Sequence, residues 1–224
     1  MQKLVFLLVV AIVTTVQGQD KITKNVGDFN ELKVFDKIHV ILIQGNENKV
    51  EITGNKRREV EIVQNNDLLK VRMSLDNLWD GDNTKVVVYY TEIKKLDANE
   101  GAKVKVKNLL KATSLDIRAQ EGATIVAKIN ANYLYSKVVT GGEVELFGEV
   151  KEQEVIINSG GQYYAKDLQT DDTKVSLSAG GTAEVNAKNY VKANTNAGGT
   201  IRIFGNPREM DTQKLLGGKI IEVN

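Results

Sequence analysis

From Leu96 onward, apolar and polar residues alternate in short runs, and each run turns at a glycine. One block recurs seven times, starting at Gly101, Gly122, Gly141, Gly160, Gly180, Gly198 and Gly217, with spacings of 21, 19, 19, 20, 18 and 19. The next residue is Ala102, Ala123, Gly142, Gly161, Gly181, Gly199 or Gly218, so something there excludes bulk. Three and five positions after the glycine stand pairs such as Val104 and Val106, Ile125 and Ala127, Val144 and Leu146, or Ile201 and Ile203, with mostly polar residues between. A period of two is that of a strand with one buried face. A second strand precedes the glycine, carrying Leu96 and Ala98, Ile117 and Ala119, Val155 and Ile157, or Val175 and Leu177.

Glycine suits such a corner because it takes positive φ at no steric cost and lets stacked backbones approach closely. Repeats this short cannot bury their inner faces alone, whereas stacking pairs each backbone with the next and hides the aliphatic column. The pattern therefore predicts an all-β chain: a single-stranded parallel β-helix, or β-solenoid, with about seven glycine-cornered rungs over residues 96–224. A β-sandwich is the competing arrangement, and a fixed glycine register fits it less well. Residues 19–95 lack the block but stay strand-like, as in Lys37–Ile43, Lys49–Ile52 and Lys85–Tyr90, with turn residues at Gln44-Gly45-Asn46, Thr53-Gly54-Asn55 and Asp80-Gly81-Asp82-Asn83. They are expected to form antiparallel or irregular coils that cap the solenoid, since an uncovered end exposes unpaired backbone groups. The two parts are expected to make one continuous domain, and the final rung, at the other end, to be closed by a partner or a crystal neighbour.

Composition narrows the chemistry. The 224 residues include no cysteine, one proline, and 30 Lys+Arg against 29 Asp+Glu. Disulfide scaffolds and cysteine-held metals are excluded, and near-zero net charge gives no electrostatic ground for nucleic acid as a partner. Residues 1–18 read as a signal peptide: Lys3 precedes the apolar run Leu4–Val13, too short to span a bilayer, and small and polar residues follow. An exported protein is expected, placed in the periplasm, on the outer cell surface or outside the cell, with no transmembrane segment in the mature chain.

Candidate sites are few. The one histidine, His39, alternates with Ile38 and Val40 and lies near no recognisable nucleophile, and Ser159 lacks a Gly-x-Ser-x-Gly elbow, so no catalytic residue is assigned. Asp80, Asp82 and Asn83 place oxygen ligands as a hard cation prefers, but without the later glutamate of a full calcium loop, and an Asp/Asn-rich turn accounts for them as well. Asp171-Asp172 reads as a solvated bend. Aromatic rings stack on sugar faces; Trp79, in a polar turn, and Tyr164, outward beside inward Tyr163, are the binding candidates. Outward Glu143, Glu145 and Glu184 open an enzyme alternative, a carbohydrate-active protein with paired carboxylates. No cofactor is called for.

The order of features resembles the auto-transporter adhesin, head GIN domain family of exported bacterial proteins. The matching pieces are Phe29-Asn30-Glu31-Leu32-Lys33-Val34, Ile38 through Gly45, Val50-Glu51-Ile52, the small-residue blocks such as Ser159-Gly160-Gly161 and Gly198-Gly199-Thr200-Ile201, and Phe204-Gly205-Asn206-Pro207. The resemblance implies a β-helical envelope or surface protein with an adhesive role. The expected function is thus non-enzymatic and adhesin-like, a rigid solenoid wall binding a glycan or protein surface of envelope or host. A carbohydrate-active enzyme and a purely structural envelope module are the alternatives, and self-association is compatible with all three.

Overall fold

The structure, a computed structural model, describes residues 21–78 and 80–223. Its first part contains β1 (Ile22–Asn25), β2 (Glu31–Val34), β3 (His39–Gln44), β4 (Lys49–Gly54), β5 (Val60–Asn65), β6 (Leu68–Met73) and β7 (Thr84–Tyr90). The repeats contain β8 (Lys95–Ala98), β9 (Lys103–Val106), β10 (Leu110–Ala119), β11 (Thr124–Val139), β12 (Glu143–Asn158), β13 (Gln162–Ser178), β14 (Thr182–Asn196), β15 (Thr200–Phe204), β16 (Glu209–Leu215) and β17 (Lys219–Glu222). From β8 on, every pairing is parallel, and each rung lies on the next in a β-solenoid.

The corner explains the repeat. The residue before each leading glycine, from Glu100 to Leu216, has φ between +50° and +57°, and the glycine itself has φ between +70° and +93°. Two left-handed residues in succession reverse the chain, and the amide of the residue after the glycine closes the turn, as in Gly142 N–H to Val139 O at 3.0 Å. The two small positions are small for different reasons. A Cβ on Gly141 would meet nothing within 4 Å, so its backbone angle alone selects glycine, whereas a Cβ on Gly142 would lie 2.3 Å from the carbonyl oxygen of Ala119 on the rung below. Corners also bond along the stack: Gly122 N–H donates to Thr140 O at 3.1 Å and Gly141 N–H to Ser159 O at 3.1 Å.

Away from the corners the four middle rungs, β11 to β14, are each one long strand bent where the in/out alternation slips, whereas the rungs before and after them are broken into β9 and β10 and into β15 and β16. In β11, Ala131 and Leu134 are buried while Asn132 and Tyr133, between them, face outward, and Lys151-Glu152 and Asp171-Asp172 repeat the slip on the next two rungs. The uneven glycine spacing is absorbed between corners. The pairing of β12 with β13 shifts between Glu145 and Gly148, which accommodates the 20-residue rung.

The N-terminal part is wound into the stack more deeply than its sequence implies. β2 pairs in parallel with β8, and β3 with β9, around a corner made of Asp36 (φ +57°) and Lys37 (φ +58°) without glycine. The chain then moves outward: β6 and β7 lay a further parallel coil on β2 and β3, and β1, β4 and β5 cover that coil in antiparallel pairing before the chain returns to β8. The cap is thus partly parallel. Its antiparallel strands end the regular stacking.

Inside runs a column of Val, Ile, Leu and Ala, interrupted by a buried polar chain. Tyr163 Oη donates to Gln153 Oε1 at 2.7 Å, and Gln153 Nε2 donates to Thr173 Oγ1 at 2.9 Å. Thr173 and Thr170 hydroxyls lie 2.7 Å apart, and Thr170 Oγ1 donates to the Asn186 carbonyl at 2.7 Å. Burial pushes the Tyr163 phenol far above its ordinary pKa. At the far end the column turns polar. Lys214 sits on buried Thr195, and Glu222 sits on buried Ile203.

Candidate functional site

Because side chains of stacked rungs fall in register about 4.8 Å apart, outward residues form ladders, and three stretches of these ladders carry chemistry.

The first is a groove of about 650 Å³ along the bends of successive rungs. Asn130 and Asn132 come from β11, Glu149 and Lys151 from β12, and Gln169 and Asp171 from β13. β14 adds Asn186, whose Nδ2 donates to the Lys166 carbonyl at 2.7 Å, and Lys188. A Cβ on Gly205 would lie 2.3 Å from Asn186 Oδ1, so glycine is what admits that amide. Each rung thus offers two polar groups at the bend, a mixture of amide, carboxylate and ammonium suited to a ligand rich in hydroxyls.

The second is the wall that follows the corners. Glu145, Tyr164, Glu184 and Arg202 are successive partners across β12, β13, β14 and β15, and Arg202 Nη1 lies 3.7 Å from Glu184 Oε1. Tyr164 faces outward, half-buried, and hydrogen-bonds its hydroxyl to Gln162 Oε1, while Tyr163 is fully buried, as strand parity requires. Partial burial is the main cause raising the Tyr164 phenol pKa, helped by the charges of Glu143 and Glu184 and opposed by Arg202.

The third is a cleft of about 650 Å³ toward the cap, on the same wall, where β7, β3, β9 and β11 lie side by side. Its floor and rim include Ile41, Val126, His39, Lys85, Lys103 and Lys105.

The expected residues are dispersed among these features. Trp79 lies outside the described residues, as does the segment 1–18 that the sequence analysis reads as a signal peptide. Asp80 pairs with Lys56, which also donates to Asn77 Oδ1 at 3.0 Å, while Asp82 points to Lys37 at 3.9 Å and lines the third cleft with Asn83. The two carboxylates are therefore engaged by lysines from different parts of the cap. Among the described residues no three His, Cys, Asp or Glu side chains gather to hold a metal ion. The groove at the bends has one sequence signal, the doubled outward pair at each slip, and of these pairs only Asp171-Asp172 reads as a bend from the sequence. Likewise His39 is placed on the outer wall, but its cleft depends on β7 and β9, distant in sequence, lying on either side of β3.

Solved structures share this architecture. A "putative adhesin" from Bacteroides fragilis NCTC 9343 superposes with a TM-score of 0.84 at 16% identity, over 92% of this chain and 98% of that one. A "putative lipid binding protein" from Parabacteroides distasonis ATCC 8503 gives 0.73 at 18%, over 93% and 98%, and a "putative adhesin" from the same strain gives 0.73 at 22%, over 92% and 97%. At such identities the likeness concerns the fold. No curated protein matches the chain in sequence. The family described as "Putative auto-transporter adhesin, head GIN domain" matches residues 28–207, four-fifths of the sequence with all but the last of the glycine corners, and the chain belongs to that family.

Proposed function

We propose that the protein is an exported, non-catalytic adhesin-like module that binds a glycan of an envelope or host surface along the groove at the rung bends. The observation that carries this reading is the groove itself: a continuous polar furrow crossing β11 to β14, with at least two polar side chains on each rung and a rigid backbone beneath. A ligand with regularly repeated hydroxyls meets a regularly repeated set of partners. Little conformational entropy is lost on the protein side, because the side chains stand on paired strands rather than on loops. Tyr164 adds a ring on the neighbouring wall. The carboxylates of the enzyme alternative stand on the neighbouring wall and do not line the groove. Glu143 and Glu145 lie two residues apart along one strand, and Glu184, two rungs on, is paired with Arg202. Membership of an adhesin family and the signal-peptide-like pattern of residues 1–18 support export.

The test is a glycan array probed with the purified protein, with a Gln169→Ala/Asp171→Ala variant for the groove and Tyr164→Ala for the wall. Binding that the groove variant abolishes supports the proposal. Absence of any glycan binding, binding that ignores the groove variant, or cleavage of a bound glycan would each sink it.

A further inference from the structure

The cleft beside the cap differs in chemistry from the groove. Along its outer face His39 is flanked by Lys85 on β7 and Lys103 on β9, and the next outward position places Ile41 beside Lys105, which in turn neighbours Val126 on β11. Aliphatic surface thus lies among three ammonium groups. None of Lys85, Lys103 and Lys105 makes an ion pair among the described residues, whereas Lys37 beside the cleft pairs with Asp82 and Lys33 pairs with Asp97. The cleft's one carboxylate, Asp82, is exposed and leans toward Lys37 at 3.9 Å. One polar atom of an outward lining residue is buried without a hydrogen-bond partner, Nε2 of His39. Buried polar atoms in folded proteins are ordinarily paired, so the His39 nitrogen is open to a partner from a ligand or from water.

We infer that this cleft binds a single-chain amphiphile with one anionic head group, a phosphate or a carboxylate. The head sits among Lys85, Lys103 and Lys105 within hydrogen-bond reach of the His39 imidazole. The alkyl chain lies on Ile41 and Val126. A purely ionic ligand would leave that aliphatic surface wet, and a neutral lipid would leave the ammonium cluster unanswered; only a molecule with both parts uses both. The volume, about 650 Å³, falls within the range of small-molecule sites, roughly 300–1,000 Å³. A single molecule fits that description better than a bilayer face, which meets proteins over a flat area. The inference is independent of the glycan reading, since the groove lies along the bends and shares no lining residue with the cleft.

Isothermal titration of the purified protein with monomeric dodecyl phosphate and with dodecanoate tests it. One molecule of either should bind per chain, with inorganic phosphate and dodecanol each weaker by about tenfold or more. Lys103→Glu/Lys105→Glu should weaken the alkyl anions by at least about tenfold and make the remaining binding less salt-dependent. Ile41→Ser should reduce the preference for the alkyl chain over inorganic phosphate. Both sets of changes are on the outer wall, and an unchanged unfolding midpoint will show that the fold is intact. Gln169→Ala/Asp171→Ala, the groove variant, should bind the amphiphile as the parent does. The inference is overturned if inorganic phosphate binds as tightly as dodecyl phosphate, if the lysine variant binds like the parent, if neither amphiphile binds, or if phosphatidylglycerol vesicles are captured while the monomers are not.

Discussion

Lys37 donates its backbone N–H to the carbonyl oxygen of Glu100 at 2.9 Å, so a corner without glycine is seated on a corner that has one. The same contact brings acids together. Asp36 lies beside Glu100, and Glu121 follows on the next corner. Burial first, then the hydrogen bond and charge of Asp36 and the charge of Glu121, raise the Glu100 pKa above its ordinary value of 4.5. A carboxyl that holds its proton more tightly folded than unfolded lowers stability as pH rises through that window, and the cost is complete above the folded pKa. Glu100→Gln should therefore stabilise the protein at neutral pH and leave it unchanged well below the ordinary carboxylate range. The gain should stay under about 1 kcal/mol, because much of the group meets solvent. Urea unfolding at pH 3 and pH 7 checks this; an equal effect at both values would contradict the stacked-acid account.

Gly141 and Gly142 separate two costs that a repeat normally confounds. Alanine at Gly141 needs only a left-handed backbone, with open space around its Cβ, and should cost about 1–2 kcal/mol. At Gly142 the new methyl collides with the Ala119 carbonyl, a backbone atom held in the stack, so the corner must open or the rungs must part. That change should cost about 3 kcal/mol or more, as overpacking against fixed backbone does. Equilibrium denaturation of the two variants ranks them; equal losses would mean that the second position is small for some other reason.

This pair shows why the solenoid was legible in the sequence. Positive φ and close approach both select residues by size, and a fixed rung length writes the selection at a near-constant period. Where a corner is made otherwise the signal vanishes. Asp36 and Lys37 hold left-handed angles without glycine, supported by Gly81 N–H donating to Asp36 O at 3.1 Å and Met73 N–H to Asp36 Oδ2 at 2.9 Å. Those supports come from residues far along the chain, so the first rung reads as undefined strand. The outward winding of β6 and β7 over β2 and β3 is hidden for the same reason. Strand parity was enough to place Tyr163 inside and Tyr164 outside. It was not enough to show that Asp80 and Asp82 diverge, since that is decided by Lys56 and Lys37. Groove and cleft are relations between rungs, and a single rung's residues do not record them.

The buried chain from Tyr163 to Asn186 has a single direction. Thr170 spends its proton on the Asn186 carbonyl, so Thr173 must donate to Thr170 and accept from Gln153, whose carbonyl oxygen receives the Tyr163 proton. Gln153→Leu leaves the Tyr163 hydroxyl without an acceptor in a fully buried site and should cost about 1–3 kcal/mol. Adding Tyr163→Phe removes the stranded hydroxyl and should recover part of that loss. A double-mutant cycle by chemical denaturation measures the coupling. Strict additivity would show that the two side chains do not act through one another.

Thr195 and Ile203 are buried, yet the residues stacked on them at the last rung are Lys214 and Glu222. β16 and β17 pair with β14 and β15 on one side, and among the described residues they have no further strand partner. An open parallel edge with an apolar inner column would be a template for another chain, and charges turned toward the column make such stacking costly. Lys214→Leu/Glu222→Ile continues the aliphatic column to the rim while leaving the edge unpaired. The double variant should associate end to end in a concentration-dependent way under conditions where the parent sediments at a lower mass, and the association should persist in high salt because its driving force is apolar burial. Analytical ultracentrifugation of both proteins decides it. If the variant sediments as the parent does, the inward charges are not what keeps the edge from pairing, and the exposed side chains beside it, Leu215 and Leu216, become the next positions to change.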